Sequence, residues 1–583
     1  MCIRALLAAR GRCLFTCAGL LLSGVVSAGD LLFTASFDEP PEGPYNDYEA
    51  ARFLTQASFG PTRAEITRLR GIGYNAWLNE QLALPFSGHQ AYLDQIAAIP
   101  EDVYHNIRYE AFMQRAMSAP DQLRQRLALA LSEIFVVSDQ SGAINGEPFA
   151  LAHYYDLLGT NAFGNYRSLL EKITLDPVMG HYLSMFRNQK PDPANNVRPD
   201  ENYAREIMQL FSIGLVELNS DGSVIDDDLV APGIQSIPSY NQDTIRGFAH
   251  VFTGWAWFNC AANNFEFCGP GATGAGWFQP MAPNVEFHAL EGDKQLLVYP
   301  GVALPGGVLM ADPRPGATVQ TVRDNLAAAL DNVFGHPNVG PFIARRLIQR
   351  LVSSNPDPGF VARVASVFNN NGSNVRGDLG AVVRAILLDP DARARPVAGS
   401  SKGKLREPLL RWTEVWRALS AQDPNGRFND WYVWYPYASV QAPLHANSVF
   451  NFFLPDYANP GADVAQAGLV SPEFQIETDT YLTRFTNLLD GFVTWQYTGN
   501  TSQFLDPDIT LVNIERERAL SANVDQLLEH LDVLFMGGTM SPFMRDTLRN
   551  HLNGIPVGAG NGYRRVTDAL SLILVSPEFA IEK

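Results

Sequence analysis

Apolar residues recur at three- and four-residue spacing through most of the chain, a period that predicts helices. It starts at Ala51 to Ala57 and is broken by Phe59-Gly60-Pro61-Thr62. Thr62 followed by Glu65 is a capping-box signal that opens the next helix. Gly71 and Gly73 stop that helix, and Trp77, Leu78 and Leu82 begin another. Gln122 to Val137 and Tyr166 to Ile173 carry further amphipathic patterns. Asp200 to Gly214 is apolar nearly all round: Tyr203, Ala204, Ile207, Met208, Leu210 and Phe211 surround one polar strip of Asn202, Arg205, Glu206 and Gln209. Such a helix belongs inside a protein, and its polar strip must be paired or used.

The pattern changes at Val216. Residues Val216 to Val224 alternate around Asp221-Gly222, a hairpin signal. A calcium loop is the weaker reading of this turn with Asp226, Asp227 and Asp228, because no bidentate Glu closes a twelve-residue loop. Trp255 to Gly306 is rich in Gly, Pro, Asn and aromatics and reads as an irregular insertion with short strands. A repeat follows. Leu330-Asp331-Asn332-Val333-Phe334-Gly335 resembles Leu531-Asp532-Val533-Leu534-Phe535-Met536, and each leads to a basic helix. Each unit closes on a helix and a proline stop, Val382 to Leu388 before Asp389-Pro390 and Ala569 to Val575 before Ser576-Pro577. The expected class is therefore mainly α, a large multi-helix globular protein with a small β-containing insertion and a duplicated helical hairpin. Its expected segments are a signal peptide at 1–28, a leader at 29–46, a helical region at 47–254, the insertion at 255–306, one repeat unit at 307–400 and a C-terminal helical region at 401–583.

Composition narrows the setting. Charged residues are 18% and hydrophobic ones 46%, which is globular. A formal net charge of -18 with no basic stripe argues against nucleic acid as a partner. Arg4, Arg10 and Arg12 precede the apolar run Cys13 to Val26, and Val26-Ser27-Ala28 fits a small-residue cleavage site before Gly29. That run is shorter than the roughly 20 apolar residues a membrane span needs. The mature chain is thus expected to be exported, to periplasm or medium, with no transmembrane segment after signal removal. It keeps two cysteines, Cys260 and Cys268, whose spacing in a Gly/Asn-rich loop indicates a local disulfide.

No Gly-x-Ser-x-Gly elbow, P-loop, His-Glu-x-x-His or Cys-x-x-Cys is present. Two readings of the polar strip remain. Glu206 can act as acid or base with Arg205 tuning it, or Arg205 and Glu206 form a buried ion pair completed by Asn202. His288, near Glu286, Glu291 and Asp293, is a further candidate base or member of a metal site, with a plain surface residue as the commoner reading. Asn202, Gln209 and Trp255 are candidate binding residues, and no metal or cofactor is assigned. The aromatic run Phe450, Phe452, Phe453 and Tyr457 fits a loop packed on the helical body better than a sugar platform.

These segments together resemble the bacterial family known as Domain of Unknown Function 1800. The matching stretches are Ala51 to Thr62, Asp176-Pro177 with Tyr182-Leu183, Asp200 to Gly214, Tyr240 to Trp255, His336-Pro337 and Asn451 to Phe474. The Asn202-Tyr203-Ala204-Arg205-Glu206 run and Thr253-Gly254-Trp255 are the most specific. Asp200 stands where the family usually has Asn, and Gln209 where it usually has Glu, which removes a carboxylate. The resemblance implies an exported, mainly helical protein, often encoded beside a sulfatase-like or phosphatase-like companion, with no settled activity. Two functions are carried forward: an accessory or binding partner of an exported hydrolase-like protein acting on envelope or extracellular material, and a hydrolase or lyase using Glu206 and Arg205 with help from His288.

Overall fold

The helix Asp47–Ala57 starts at Asn46, whose side chain accepts from the Glu49 backbone N–H at 2.9 Å. Asp47 and Glu49 place negative charge at the helix's positive end. Thr62 caps the next helix in the same way, its hydroxyl accepting from Glu65 N at 3.1 Å. That helix, Arg63–Ala83, is interrupted at Gly73, where φ is +82°. It is therefore two helical stretches meeting at a glycine, as the sequence implies. The computed structural model describes residues 42–582 apart from 227–234, 313–315, 396, 398–400, 436–438, 503–505 and 559. The signal segment 1–28, the leader before residue 42, and Asp227 and Asp228 lie outside the described residues.

Helices make up most of the described chain, and its sheets are two-stranded. One contiguous apolar core runs from Ala50 to Phe579. A satellite of Tyr92, Leu93, Ile96, Ile107, Ala111 and Ala152 lies beside it. The hairpin forms around Asn219 and Ser223, with Leu218 bridged to Val224. The insertion contains the antiparallel pairs Trp255–Ala256 with Ala282–Pro283 and Lys294–Gln295 with Val308–Leu309. Cys260 and Cys268 are disulfide-bonded, their Cα atoms 5.6 Å apart. The two repeat segments contain the helices Val319–Gly335 and Val339–Leu351 in one and Val524–Leu531 and Pro542–Asn553 in the other. Pro390 and Pro577 each open a short helical turn at N1, capped by Asp389 and Ser576. Among the described residues, no helix is long and apolar enough to cross a membrane.

The interior is unusually charged. Every residue of the helix Pro408–Ala418 is buried, as is every residue of Gln122–Ser132 except Arg124. Arg406 pairs with Glu414, Arg411 with Glu477, and Arg350 with Glu133 at 3.2 Å. Lys404, held by the antiparallel pair Lys404–Leu405 with Ile581–Glu582, lies 3.2 Å from Glu473 and 3.6 Å from Glu407. Arg417 reaches Glu65 at 2.8 Å and donates to the Gly60 carbonyl at 2.9 Å. Gly60 is needed there: at its φ of +120° an added Cβ would lie 2.6 Å from the Glu414 Cα. Burial and its Glu407 neighbour push the Glu133 carboxyl well up. At Glu407 the opposing pull of Lys404, Glu133 and Arg350 overcomes burial and brings the carboxyl down to about 2.

Asp176 provides a clean pH test of burial. It caps the helix Pro177–Tyr182, accepting from Val178 N at 2.8 Å, and is 3% exposed. Burial raises its carboxyl to about 7, against backbone hydrogen bonds that pull the other way. Between the ordinary value and about 7 the unfolded chain ionises while the folded one stays protonated, so stability falls as pH rises through that window. Asp176→Asn keeps the cap and removes the ionisation. Its unfolding free energy from urea titration is expected to exceed wild type at pH 8, by on the order of 2–4 kcal/mol, and to match it near pH 4.

Candidate functional site

The motif helix spans Asn202–Gln209, and its first turn is tied down through Asp200. Asn202 N donates to Asp200 Oδ1 and Asp200 N to Asn188 Oδ1, both at 2.8 Å. Tyr203, Ala204, Glu206, Ile207 and Met208 face inward, and the Tyr203 hydroxyl donates to Thr174 Oγ1 at 2.6 Å. The polar strip divides between solvent and core. Arg205 is half-exposed and pairs with Glu201 at 3.5 Å, one turn back on the solvent side. Glu206 is buried, and its Oε2 has no hydrogen-bond partner. Arg205 and Glu206 are adjacent and so diverge by about 100° around the helix. That divergence is why the buried ion pair between them does not form. Burial raises the Glu206 carboxyl, with the Arg205 charge opposing. Its charge also helps burial push Tyr182 up to about 12. Gln209 accepts from the Tyr240 hydroxyl at 3.3 Å, and Asn202 is exposed.

His288 follows the short turn Val285–Phe287 in the insertion. Its Nδ1 donates to the Thr253 carbonyl at 2.9 Å, and its Nε2 accepts from Asn325 Nδ2 at 3.1 Å. Both ring nitrogens are engaged, and burial lowers its pKa to about 4, so the ring is neutral. The Thr253-Gly254-Trp255 run builds this clamp. Thr253 Oγ1 also accepts from Ala289 N at 2.9 Å. Gly254, at φ +82°, lets the chain pass where a Cβ would meet the Asn284 carbonyl at 2.6 Å. Trp255 is 1% exposed. Nearby, Lys294 is buried with no partner for Nζ, and burial lowers its pKa. Among the described residues, no hydrogen bond or ion pair joins Glu206 or Arg205 to His288. The Phe450 to Tyr457 segment packs on the body: Phe453 sits under Arg350, and the Pro455 carbonyl accepts from Gln349 at 3.0 Å.

A second constellation has no local motif. The helix His105–Ser118 carries Arg108, Tyr109 and Glu110. The segment after Gln122–Ser132 delivers Asp139, and a distant loop delivers His445. That loop is strained, with positive φ at Val440 (+62°), Leu444 (+56°) and Asn451 (+66°). It is pinned to the 138–139 segment: Asp139 N donates to Leu444 O at 3.0 Å, Ser138 donates to Ala446 O, and Arg108 donates to Pro443 O. His445 Nδ1 lies 2.5 Å from Asp139 Oδ1, and the Tyr109 hydroxyl donates to Asp139 Oδ2 at 2.5 Å. Arg108 forms an ion pair with the same carboxylate. Burial pulls the Asp139 carboxyl upward, but Arg108, His445 and Tyr109 together hold it below the usual value. Asp139 therefore stays ionised and orients the His445 ring through Nδ1, with Nε2 on the far side of the ring. The exposed Gln140 amide donates to that Nε2 at 2.6 Å.

His445 and His105 lie in a solvent-open cleft of about 720 Å³ whose other lining residues are Tyr104, Asn106, Tyr109, Trp434 and Tyr435. His105 Nε2 donates to the Asn145 carbonyl at 2.7 Å, and its Nδ1 has no hydrogen-bond partner. Burial and then Arg108 lower its pKa, so it too is neutral. This cleft can bind a ligand against aromatic faces and transfer a proton at His445 Nε2. Among the described residues, no group of three or more His, Cys, Asp or Glu is placed to hold a metal. Sequence reading does not find the pair, because Asp139 and His445 are 306 residues apart. The one local hint is the aromatic density of Trp431, Tyr432, Trp434 and Tyr435 upstream of His445.

The model of the family described as "Protein of unknown function (DUF1800)" matches residues 52–581, and the chain belongs to that family. No curated protein and no solved structure matches it.

Proposed function

We propose that this DUF1800 family member is a hydrolase whose Asp139–His445 pair activates water against an acyl ester. The 2.5 Å contact between His445 Nδ1 and an ionised, buried Asp139, at the edge of an open cleft, carries the reading. His445 Nε2 takes a proton from water as the water oxygen attacks the ester carbonyl. The resulting imidazolium is stabilised by Asp139, then returns the proton to the departing alkoxide as the C–O bond breaks. Among the described residues the cleft lining contains no Ser, Thr or Cys, which favours direct attack by water. It also contains no carboxylate pair, the equipment glycosidic cleavage needs. The test is ester hydrolysis by wild type and His445→Ala. No turnover by wild type leaves the accessory reading, a binding partner of an exported sulfatase-like or phosphatase-like companion.

A second reading rests on Glu206, whose Oε2 is sealed and unpaired and whose pKa is raised, as suits a general acid. It keeps Arg205, whose charge acts on Glu206, as a supporting residue of a hydrolase or lyase, and leaves out His288, whose ring nitrogens are held by Thr253 and Asn325. Glu206→Gln then removes activity with the melting temperature kept. Full activity in that variant confines Glu206 to packing.

We also place the protein outside the cytoplasm. The Arg4–Ala28 pattern and the Cys260–Cys268 bond support this. Intact-mass analysis of protein recovered from the periplasm or medium is expected to show a chain beginning at Gly29. A full-length mass overturns it.

A further inference from the structure

We infer that the occupant of the His445 cleft is a neutral pyranose chain, bound by stacking on Trp434 with Tyr104 and Tyr435. The inference takes its cleft from the hydrolase reading but concerns binding alone. Trp434 is a fixed platform. Its indole N–H donates to Glu110 Oε2 at 3.3 Å, and Glu110 is fully buried. The same carboxylate accepts from Tyr92 and, at 3.0 Å, from Arg427 Nη2, while Arg427 grips Glu101 at 2.9 and 3.0 Å. With one edge anchored in that network, the ring lies against the cleft already oriented, so little rotamer freedom is lost when a ligand stacks on it. Tyr104 and Tyr435 are 63% and 65% exposed, which is costly apolar area with nothing on it.

The lining decides between ligand classes. Among the described residues it carries no Lys, Arg, Asp or Glu; Asp102 meets it only through the Tyr104 hydroxyl at 3.4 Å, and Arg108 pairs with Asp139 behind it. A nucleic acid or an anionic polysaccharide needs fixed positive charge, and the chain's net -18 repels both. A purely apolar ligand would cover the Asn106 amide and the tyrosine hydroxyls of the lining without giving them a hydrogen bond. A pyranose satisfies both halves. Its C–H face, with slightly positive hydrogens, covers the negative face of an aromatic ring, and its hydroxyls meet imidazole and amide groups. An acyl group on such a ring would place its carbonyl within reach of His445, which ties binding to the proposed chemistry.

The test is calorimetric titration of the mature protein with xylohexaose and with an oligogalacturonate hexamer, alongside ester hydrolysis. Xylohexaose is expected to bind and the anionic hexamer to bind at least about tenfold more weakly. Tyr104→Ala, an exposed position safe for folding, and Trp434→Ala are each expected to weaken xylohexaose binding by about 3- to 10-fold or more. No xylohexaose binding, equal binding of the charged hexamer, or full binding by both aromatic variants overturns the inference. Aryl-ester turnover with no glycan binding overturns the inference and spares the hydrolase. Glycan binding without any ester turnover does the reverse.

Discussion

Replacing His445 with alanine is expected to lower kcat/KM for ester hydrolysis by about 10²- to 10⁴-fold and leave the fold intact. The size follows from what the ring does: without it, no other group at the edge of the cleft is both basic and oriented. His105 cannot substitute directly, because its Nε2 proton is committed to the Asn145 carbonyl and no carboxylate hydrogen bond orients its Nδ1. The fold survives because the His445 side chain is partly exposed and makes its hydrogen bonds to Asp139, Tyr109 and Gln140. Asp139 keeps Arg108 and Tyr109 when the ring is removed. The measurement is initial-rate kinetics on an aryl acetate and an acetylated xylan, with melting temperature as the control. A variant with wild-type rates on both substrates removes His445 from the chemistry.

Replacing Lys404 with methionine is expected to destabilise the protein by about 3–5 kcal/mol at neutral pH. Lys404 is 3% exposed, and its ammonium is shared by Glu473, Glu407 and the backbone carbonyls of Gln349 and Arg350. Methionine matches the stem but leaves two buried carboxylates facing each other's field without their cation. The loss should shrink as pH falls. In wild type, Glu407 is held to about 2 with Lys404 the foremost opposing charge, so its stabilisation is present above the ordinary carboxyl range and fades only as pH falls toward about 2. Without Lys404 the carboxyl titrates higher, and below that higher value the variant no longer carries an unpaired charge. Urea unfolding at pH 7.5 and pH 4.5 checks this. An equal deficit at both values would trace the defect to packing. Adding Glu473→Gln should recover part of the loss at pH 7.5 only.

Buried pairs of this kind explain how a chain with so many interior charges folds. Removing a buried partner is costly, whereas a complete network roughly breaks even against apolar packing. The Lys404, Arg406, Arg411 and Arg417 positions thus specify how the Pro408–Ala418 helix seats, more than they add net stability.

The helices follow from the sequence alone. Periodicity, the Asn46 and Thr62 caps and the Gly73 break act within a few residues, so they are written where they act. The motif helix, read over 200–214 and ending in the structure at Gln209 where the chain turns, and the Cys260–Cys268 bond are legible for the same reason. Only the tertiary structure decides which polar groups meet. Arg205 turns to Glu201 and leaves Glu206 alone because the helix boundary with solvent falls between two adjacent side chains. His288, ambiguous in a polar loop, has both nitrogens filled by Thr253 and Asn325. Asp139 and His445 come together across 306 residues, through a loop held at strained backbone angles. A local pattern fixes each residue's face on its own helix. Which faces then come together depends on packing summed over the whole core, and no short stretch of sequence records that sum.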